Sequence, residues 1–358
     1  MLYFRQKKGM NDLKKILTSL SFALLLIVLL LNFSGGDIKA RAASELYPLP
    51  APIIEVFPDD GLAKDMAKNL NKDSVDDVID QEDLDGLTGL GFETETITND
   101  SLKLLERAMF NNVESANIME FGEGLTEFPD VTTIPHLTSI YYAVPPAGIS
   151  RSLSLPDYQN YPEMESITMS QHTLIGSIPD FTGMPKLKYL YMGDMSITSD
   201  DVPDFQHIPE LRTLELGLND LTDTIVNFTN LPRLNYLDLD YNHLNELPTN
   251  VLDAVFVQNQ TNTLPDQTIN QGETSTIELP IYYQMESIGM LINTEVYGQY
   301  IDDFNHVLPV TLDETTNSMT LDTSSLSPGV YKVNVNFNAM SYPVTQESCY
   351  YDWVVTIN

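Results

Sequence analysis

Cysteine is nearly absent: the 358-residue chain has one, Cys349, so no disulfide can close within it. It lies too far downstream to carry a lipid behind a leader, and a buried strand thiol is its expected state. Positive charge is scarce, with 18 Lys and Arg against 51 Asp and Glu and a net charge of −33. Phosphate recognition needs a basic footprint, so nucleic acid is excluded as a partner and an anionic membrane surface is disfavoured. Acidity of this size reports solubility in an extracellular setting, with a cationic partner or wall polymer as the functional alternative. Catalytic signatures are missing too. The five histidines (His136, His172, His207, His243 and His306) are scattered, with no His-Glu-x-x-His pair, no Gly-x-Ser-x-Gly elbow and no phosphate loop. Asp76, Asp77, Asp80 and Asp83 do not spell a calcium loop and read as solvated helix faces. No catalytic residue, metal or cofactor is assigned, and the chain is read as a non-enzyme.

One long apolar run is present. Residues 20–31 follow Arg5, Lys7, Lys8, Lys14 and Lys15, and Ala40-Arg41-Ala42 offers a small-x-small cleavage site. Residues 1–42 therefore read as a secretory signal peptide, although the stretch 16–33 approaches spanning length and makes an uncleaved anchor the competing reading. Cleavage takes seven basic and two acidic residues, leaving 11 against 49 and a net charge of −38. No stable membrane insertion is expected afterwards. No Leu-Pro-x-Thr-Gly sorting motif or basic wall-binding repeat follows, so the expectation is a protein released or held by a partner, without a covalent wall anchor.

Periodicity carries the fold. An aromatic residue or valine, two spacers, an apolar residue, proline, one spacer, then leucine or methionine recurs five times, beginning at Val131, Tyr158, Phe181, Phe205 and Phe228. The intervals of 27, 23, 24 and 23 residues are those of a stacked repeat. Each copy continues as Leu-x-x-Leu-x-Leu-x-x-Asn-x-Leu, clearest at Leu211, Leu214, Leu216, Asn219, Leu221 and at Leu234, Leu237, Leu239, Asn242, Leu244. This pattern resembles the leucine-rich repeat family. Looser copies start at Met164 and Leu187, with His172 and Met195 in the asparagine slot, and weaker starts at Leu87, Val113, Leu137 and Leu252 bring the total to about eight coils.

In Leu-x-Leu, period two puts both leucines on one face of a short strand and the residues between them on the other. The asparagine suits a bend because its amide bonds nearby backbone. Pro-Asp pairs at Pro129-Asp130, Pro156-Asp157, Pro179-Asp180 and Pro203-Asp204, with Asn227 in the next coil, predict a capped single helical or 3₁₀ turn behind each strand. A lone coil cannot bury its apolar side chains, so stacking must do so, and the open ends require caps.

Upstream, Leu62, Ala63, Met66, Ala67 and Leu70 fall on one helical stripe, and Ser74 to Asp77 predicts a capping box opening a second short helix with Val75, Val78 and Ile79 inward. The segment 56–87 resembles the helical cap of internalin-type surface proteins of Gram-positive bacteria. Downstream, 261–272 reads as a polar linker, and period-two strands follow: Ile277, Leu279, Ile281, then Tyr331, Val333, Val335, Phe337, then Tyr351, Trp353, Val355, Ile357. Internalin-like proteins often carry an immunoglobulin-like module in this place, and the segment resembles one. The expected order is a signal peptide (1–42), linker and helical cap (43–86), leucine-rich repeats (87–262) and an immunoglobulin-like β-sandwich (263–358). The fold class is thus a leucine-rich repeat solenoid, with parallel β on its concave face and short helical or 3₁₀ turns on its convex face, between an α-helical cap and an all-β sandwich.

Repeat numbering turns Tyr141, Lys188, Tyr189, Tyr191, Arg212, Glu215, Tyr236, Asp238, Tyr241 and Phe256 towards solvent. Tyrosine and arginine are favoured where proteins grip partners, because they combine contact area with a polar handle. Exposed tyrosine is also simply a good strand former. The resemblance implies surface display and adhesion to a protein or glycan, such as a host receptor; the competing reading is an assembly subunit that binds other exported envelope proteins of its own cell.

Overall fold

The computed structural model describes residues 46–94, 96–119, 124–142, 151–222, 228–244, 255–256, 260–278, 291–300, 308–313, 316, 318–341 and 345–358. The signal peptide, Asn227, Leu252, Leu279, Ile281 and His306 lie outside them.

At the N-terminal end, β1 (Ala51–Pro52) pairs antiparallel with β2 (Val78–Ile79) beside the helix Asp60–Asn69. Asp59 caps that helix by accepting from the Leu62 N–H at 2.8 Å, and Leu62, Ala63, Met66 and Ala67 are buried as the stripe requires. The second helix begins six residues later than expected. Asp77 folds back to accept from the N–H groups of Asp73 and Ser74, while the Ser74 hydroxyl accepts from the Asp76 N–H, which closes a turn in place of a helix start. Val78 and Ile79 extend instead, as β-branched residues prefer, and Val78 faces outward. The capping box is made by Asp80 and Asp83, and it opens the helix Gln81–Asp85.

The solenoid follows. Strands β3 (Gly89–Phe92), β4 (Ser115–Ile118), β5 (Ser139–Tyr142), β6 (Arg151–Ser154), β7 (Ser166–Ser170), β8 (His172–Ile175), β9 (Tyr189–Gly193), β10 (Thr213–Glu215), β11 (Tyr236–Asp238) and β12 (Val255–Phe256) form two parallel sheets. Eight of them lie side by side in the order β12-β11-β10-β9-β7-β5-β4-β3, and β6 pairs with β8 apart from them. Alternation sorts the residues of β9: Leu190 and Met192 are buried, whereas Tyr189, Tyr191 and Gly193 are partly exposed. The cap seals the free edge of β3. Asn69 donates to the Gly91 carbonyl at 2.8 Å and accepts from the Gly91 N–H at 2.7 Å, so a side chain replaces the missing neighbouring strand.

Behind the strands the chain returns through tight turns, with a 3₁₀ turn at Phe228–Asn230 in one coil. The Pro-Asp aspartates do not all act as caps of their own turns. Asp130 accepts from the N–H groups of Gln159 and Asn160, and Asp157 accepts from Thr182 N–H, in each case in the following coil. Stacked coils place each carboxylate over its neighbour's exposed N–H groups, a contact that depends on the stacking and not on local sequence. Asp204 accepts locally, from Gln206 N–H at 3.2 Å, and Asp157 also accepts from the Gln159 side-chain amide of its own turn at 3.0 Å.

The asparagine slots form a buried ladder. Asn219 accepts from the N–H groups of Met195 and Ile197 and donates to the carbonyls of Met192 and Leu216. Asn242 repeats this one coil on, with Leu221 N–H as donor and the Leu216 and Leu239 carbonyls as acceptors. Gln260 then ends the ladder by accepting from Leu244 N–H and donating to the Leu239 carbonyl. His172 is buried in its slot, and His243 sets Nδ1 2.6 Å from the Thr261 carbonyl.

The stretch read as a linker is largely strand β13 (Gln260–Ile269), which continues straight from the ladder because it pairs with a strand of the tail. With it come β14 (Thr274–Glu278), β15 (Leu291–Tyr300), β16 (Val310–Asp313), β17 (Ser318–Asp322), β18 (Gly329–Ser341) and β19 (Thr345–Ile357). They make a four-stranded sheet, β13-β19-β18-β15, and a three-stranded sheet, β14-β17-β16. Val333, Trp353, Val355 and Ile357 of the first are buried in one cluster with Met319 and Leu321 of the second. Register slips between Leu264 and Gln267, at Pro265, which cannot donate to a ladder. Cys349 lies on β19 opposite Phe337 of β18; its side chain is outside the described set.

Candidate partner-binding face

Parallel pairing sets the concave residues in two rows across the sheet. The first runs Gly89, Ser115, Ser139, Ser166, Tyr189, Thr213, Tyr236, and the second Gly91, Asn117, Tyr141, Thr168, Tyr191, Glu215, Asp238, Phe256. Neighbours in a row sit on strands about 4.8 Å apart, and the rows are separated by two strand residues, about 6.6 Å. Seven of the ten sequence-assigned residues fall on or beside one patch across β9, β10, β11 and β12. Tyr189, Tyr191, Glu215, Tyr236 and Asp238 share it; Arg212 leads into β10 and is exposed, and Phe256 stands opposite Asp238 in register. Tyr141 is 42 % exposed but stands two strands from Tyr191, with Thr168 between them. Tyr241 is on the bend after β11, and Lys188 holds Glu165 at 2.6 Å ahead of β9.

Charge on this patch is partly withdrawn from water. Burial, then the neighbouring Asp238 carboxylate, raises the Glu215 pKa above its usual value. Burial also raises Asp238, partly offset by the Asp240 N–H it accepts at 2.8 Å. The Tyr191 and Tyr236 phenols are raised by burial and then by these carboxylates, so both stay protonated and can donate. The patch can therefore offer aromatic surface, phenolic donors and two carboxylate acceptors side by side.

Two contributors escaped the sequence reading. A Cβ on Gly217 would meet Asp238 Oδ1 at 3.1 Å, so the glycine leaves room for that carboxylate. Leu218 is 53 % exposed at the bend position that Tyr241 fills one coil later, and both have positive φ, 57° and 55°. Repeat numbering alone would have given Leu218, but an isolated leucine reads as core. Among the described residues no group of three or more His, Cys, Asp or Glu is placed to hold a metal, and no helix is long and apolar enough to cross a membrane.

Residues 40–85 match the family described as bacterial adhesion/invasion protein N terminal. Over 78 residues the chain is 32 % identical to internalin C of Listeria monocytogenes, a match spanning 22 % of this chain and only a quarter of that relative's length. The solved structure of the Listeria monocytogenes internalin-like protein lmo2027 is 63 % identical, with a TM-score of 0.75, and the match covers 88 % of this chain and all of that one. The crystal structure of InlP from the same organism is 57 % identical, with a TM-score of 0.61 and the same coverage.

Proposed function

The chain belongs to the internalin-like leucine-rich repeat proteins, and from that premise we propose that it is an exported binding protein that captures a partner protein on the concave sheet across β9 to β12. Export rests on the basic, apolar and small-residue order of residues 1–42, read as a signal peptide removed on secretion. The family description as an adhesion or invasion protein supports a role at a cell surface. The observation that carries the concave reading is the convergence of Tyr189, Tyr191 and Tyr236 on adjacent coils, where the first four strands present Gly, Ser, Asn and Thr with a single tyrosine on the face, Tyr141. Large, rigid side chains supply contact area at small entropic cost. Work is done by binding, and no catalytic group, cofactor or metal is part of this reading.

The test is capture. Purified protein is used to pull down surface proteins of host cells and, separately, exported proteins of the producing cell. Replacing Tyr189, Tyr191 and Tyr236 with serine is expected to abolish capture while thermal unfolding changes little. Equal loss of folding and capture would assign the tyrosines a packing role. Capture of the cell's own envelope proteins alone would favour the assembly reading.

A further inference from the structure

We propose that the patch across β9, β10 and β11 recognises a partner protein through an arginine side chain, held between the Glu215 and Asp238 carboxylates and flanked by Tyr191 and Tyr236. This rests on the concave reading above and names the chemistry of its ligand.

Two carboxylates facing each other in register on adjacent strands mark this place out. Three carboxylates are paired across successive coils, Glu165 by Lys188, Glu163 by Lys186 and Glu210 by Arg233, each pair 23 residues apart. Glu215 and Asp238 are also 23 residues apart and directly opposite in register, yet both are acidic. Among the described residues no lysine, arginine or histidine of the chain forms an ion pair with either. Two like charges on neighbouring strands, partly withdrawn from water, repel each other. An incoming cation removes that penalty, so the patch is complementary to positive charge.

Geometry selects among cations. Carboxylates on strands about 4.8 Å apart suit a planar donor fork that reaches both, and a guanidinium is such a fork whereas an ammonium is a point charge. Tyr191 lies beside Glu215 and Tyr236 precedes Asp238 on the same face, so aromatic rings border the carboxylates and can stack on the guanidinium plane. Leu218 and Tyr241, exposed on the adjacent bends, give the apolar stem of such a side chain a surface to lie along. Gly217 keeps the Asp238 carboxylate free of a crowding side chain.

The probe is a blocked pentapeptide of serines with one central arginine, compared with the same peptide carrying citrulline, which keeps the shape and removes the charge, and with the lysine version. Binding to the purified full chain is followed by NMR or calorimetry at millimolar peptide. Charge-assisted hydrogen bonds predict that arginine binds at least about tenfold more tightly than citrulline, with lysine between the two. The double substitution Glu215→Gln with Asp238→Asn preserves shape and is expected to erase the difference between arginine and citrulline while thermal unfolding stays cooperative. Equal binding of arginine and citrulline, equal binding of arginine and lysine, absence of binding, or discrimination that survives the double substitution would each overturn the proposal. If the tyrosine-to-serine variants lose capture of the partner while the double substitution leaves it intact, the concave reading stands and the arginine assignment falls.

Discussion

The two faces of one sheet obey different rules although their residues alternate along the same strands. On the inward face the coils repeat themselves: Leu190, Leu214 and Leu237 are fully buried in the same place, and Asn219 and Asn242 make matching sets of bonds one coil apart. On the outward face the same strands change character midway, from Gly, Ser, Asn and Thr to tyrosine and carboxylate. Period two lets a repeating inward set and a varying outward set of residues share one short segment with little cross-talk. The inward residue is fixed by its neighbours above and below, whereas the outward residue is free of that constraint.

The sharpest way to break this separation is at the inward ladder. Asn242→Ala orphans the buried Leu221 N–H and takes one donor each from the Leu216 and Leu239 carbonyls, which keep Asn219 and Gln260. One orphaned buried group costs about 1–3 kcal/mol and each of the two lost hydrogen bonds about 0.5–1.5, so a loss of roughly 2–6 kcal/mol is expected, read as a fall in the denaturant midpoint. A change below about 1 kcal/mol would show that the ladder tolerates its loss and that the two faces are not distinguished by rigidity.

A smaller effect is expected behind the sheet. Asp157 bonds Thr182 N–H of the next coil at 2.7 Å and also accepts from the Thr182 hydroxyl. The site is partly solvated, so water can replace some of what is lost, and Asp157→Ala should cost about 1–2 kcal/mol, in the range of a lost helix cap. Hydrogen exchange sharpens the reading. If the carboxylate staples coils, the Thr182 amide should lose protection more than the amides of Asp157's own turn; the reverse order would restore the local-cap assignment.

Legibility in the sequence follows the same division. Spacing from Val131 to Phe228 gave the coil repeat, because inward contacts recur every coil and leave a periodic trace. The helix Asp60–Asn69 was legible for the same reason, through its stripe. Ser74 and Asp77 misled because a capping box and a tight turn use the same residue types, and only the β1–β2 pairing decides between them. The aspartate staples and the role of Gln260 depend on neighbours 16 to 30 residues away, which local pattern cannot report. Strand β13 looks like a linker in sequence because its polar residues lie on an edge strand, where one buried apolar residue such as Leu264 is enough. On the outward face the numbering gave Tyr189, Tyr191, Glu215, Tyr236 and Asp238 as neighbours, but not the desolvation that couples the two carboxylates, which is a property of the assembled sheet.

That coupling yields the smallest of the three effects on stability and the one of opposite sign. The raised pKa of Asp238 means that the folded protein holds its proton more tightly than the unfolded chain does. The contribution to stability is fully present below the ordinary carboxylate pKa of about 4 and is lost as pH rises through the higher folded value. At neutral pH the charged side chain is a burden in the free protein, and Asp238→Asn should raise the thermal midpoint slightly, since an amide oxygen can still accept from Asp240 N–H. Acidification should shrink this gain, because the wild-type carboxyl then becomes neutral as well, and Glu215 in the variant should titrate closer to its usual value once its charged neighbour is gone. Unfolding curves at neutral and acid pH, with carboxyl titration by NMR, measure both effects. A midpoint that falls at neutral pH would mean that Asp238 supports the fold, and the outward face would then share the structural duty that the comparison assigns to the inward one.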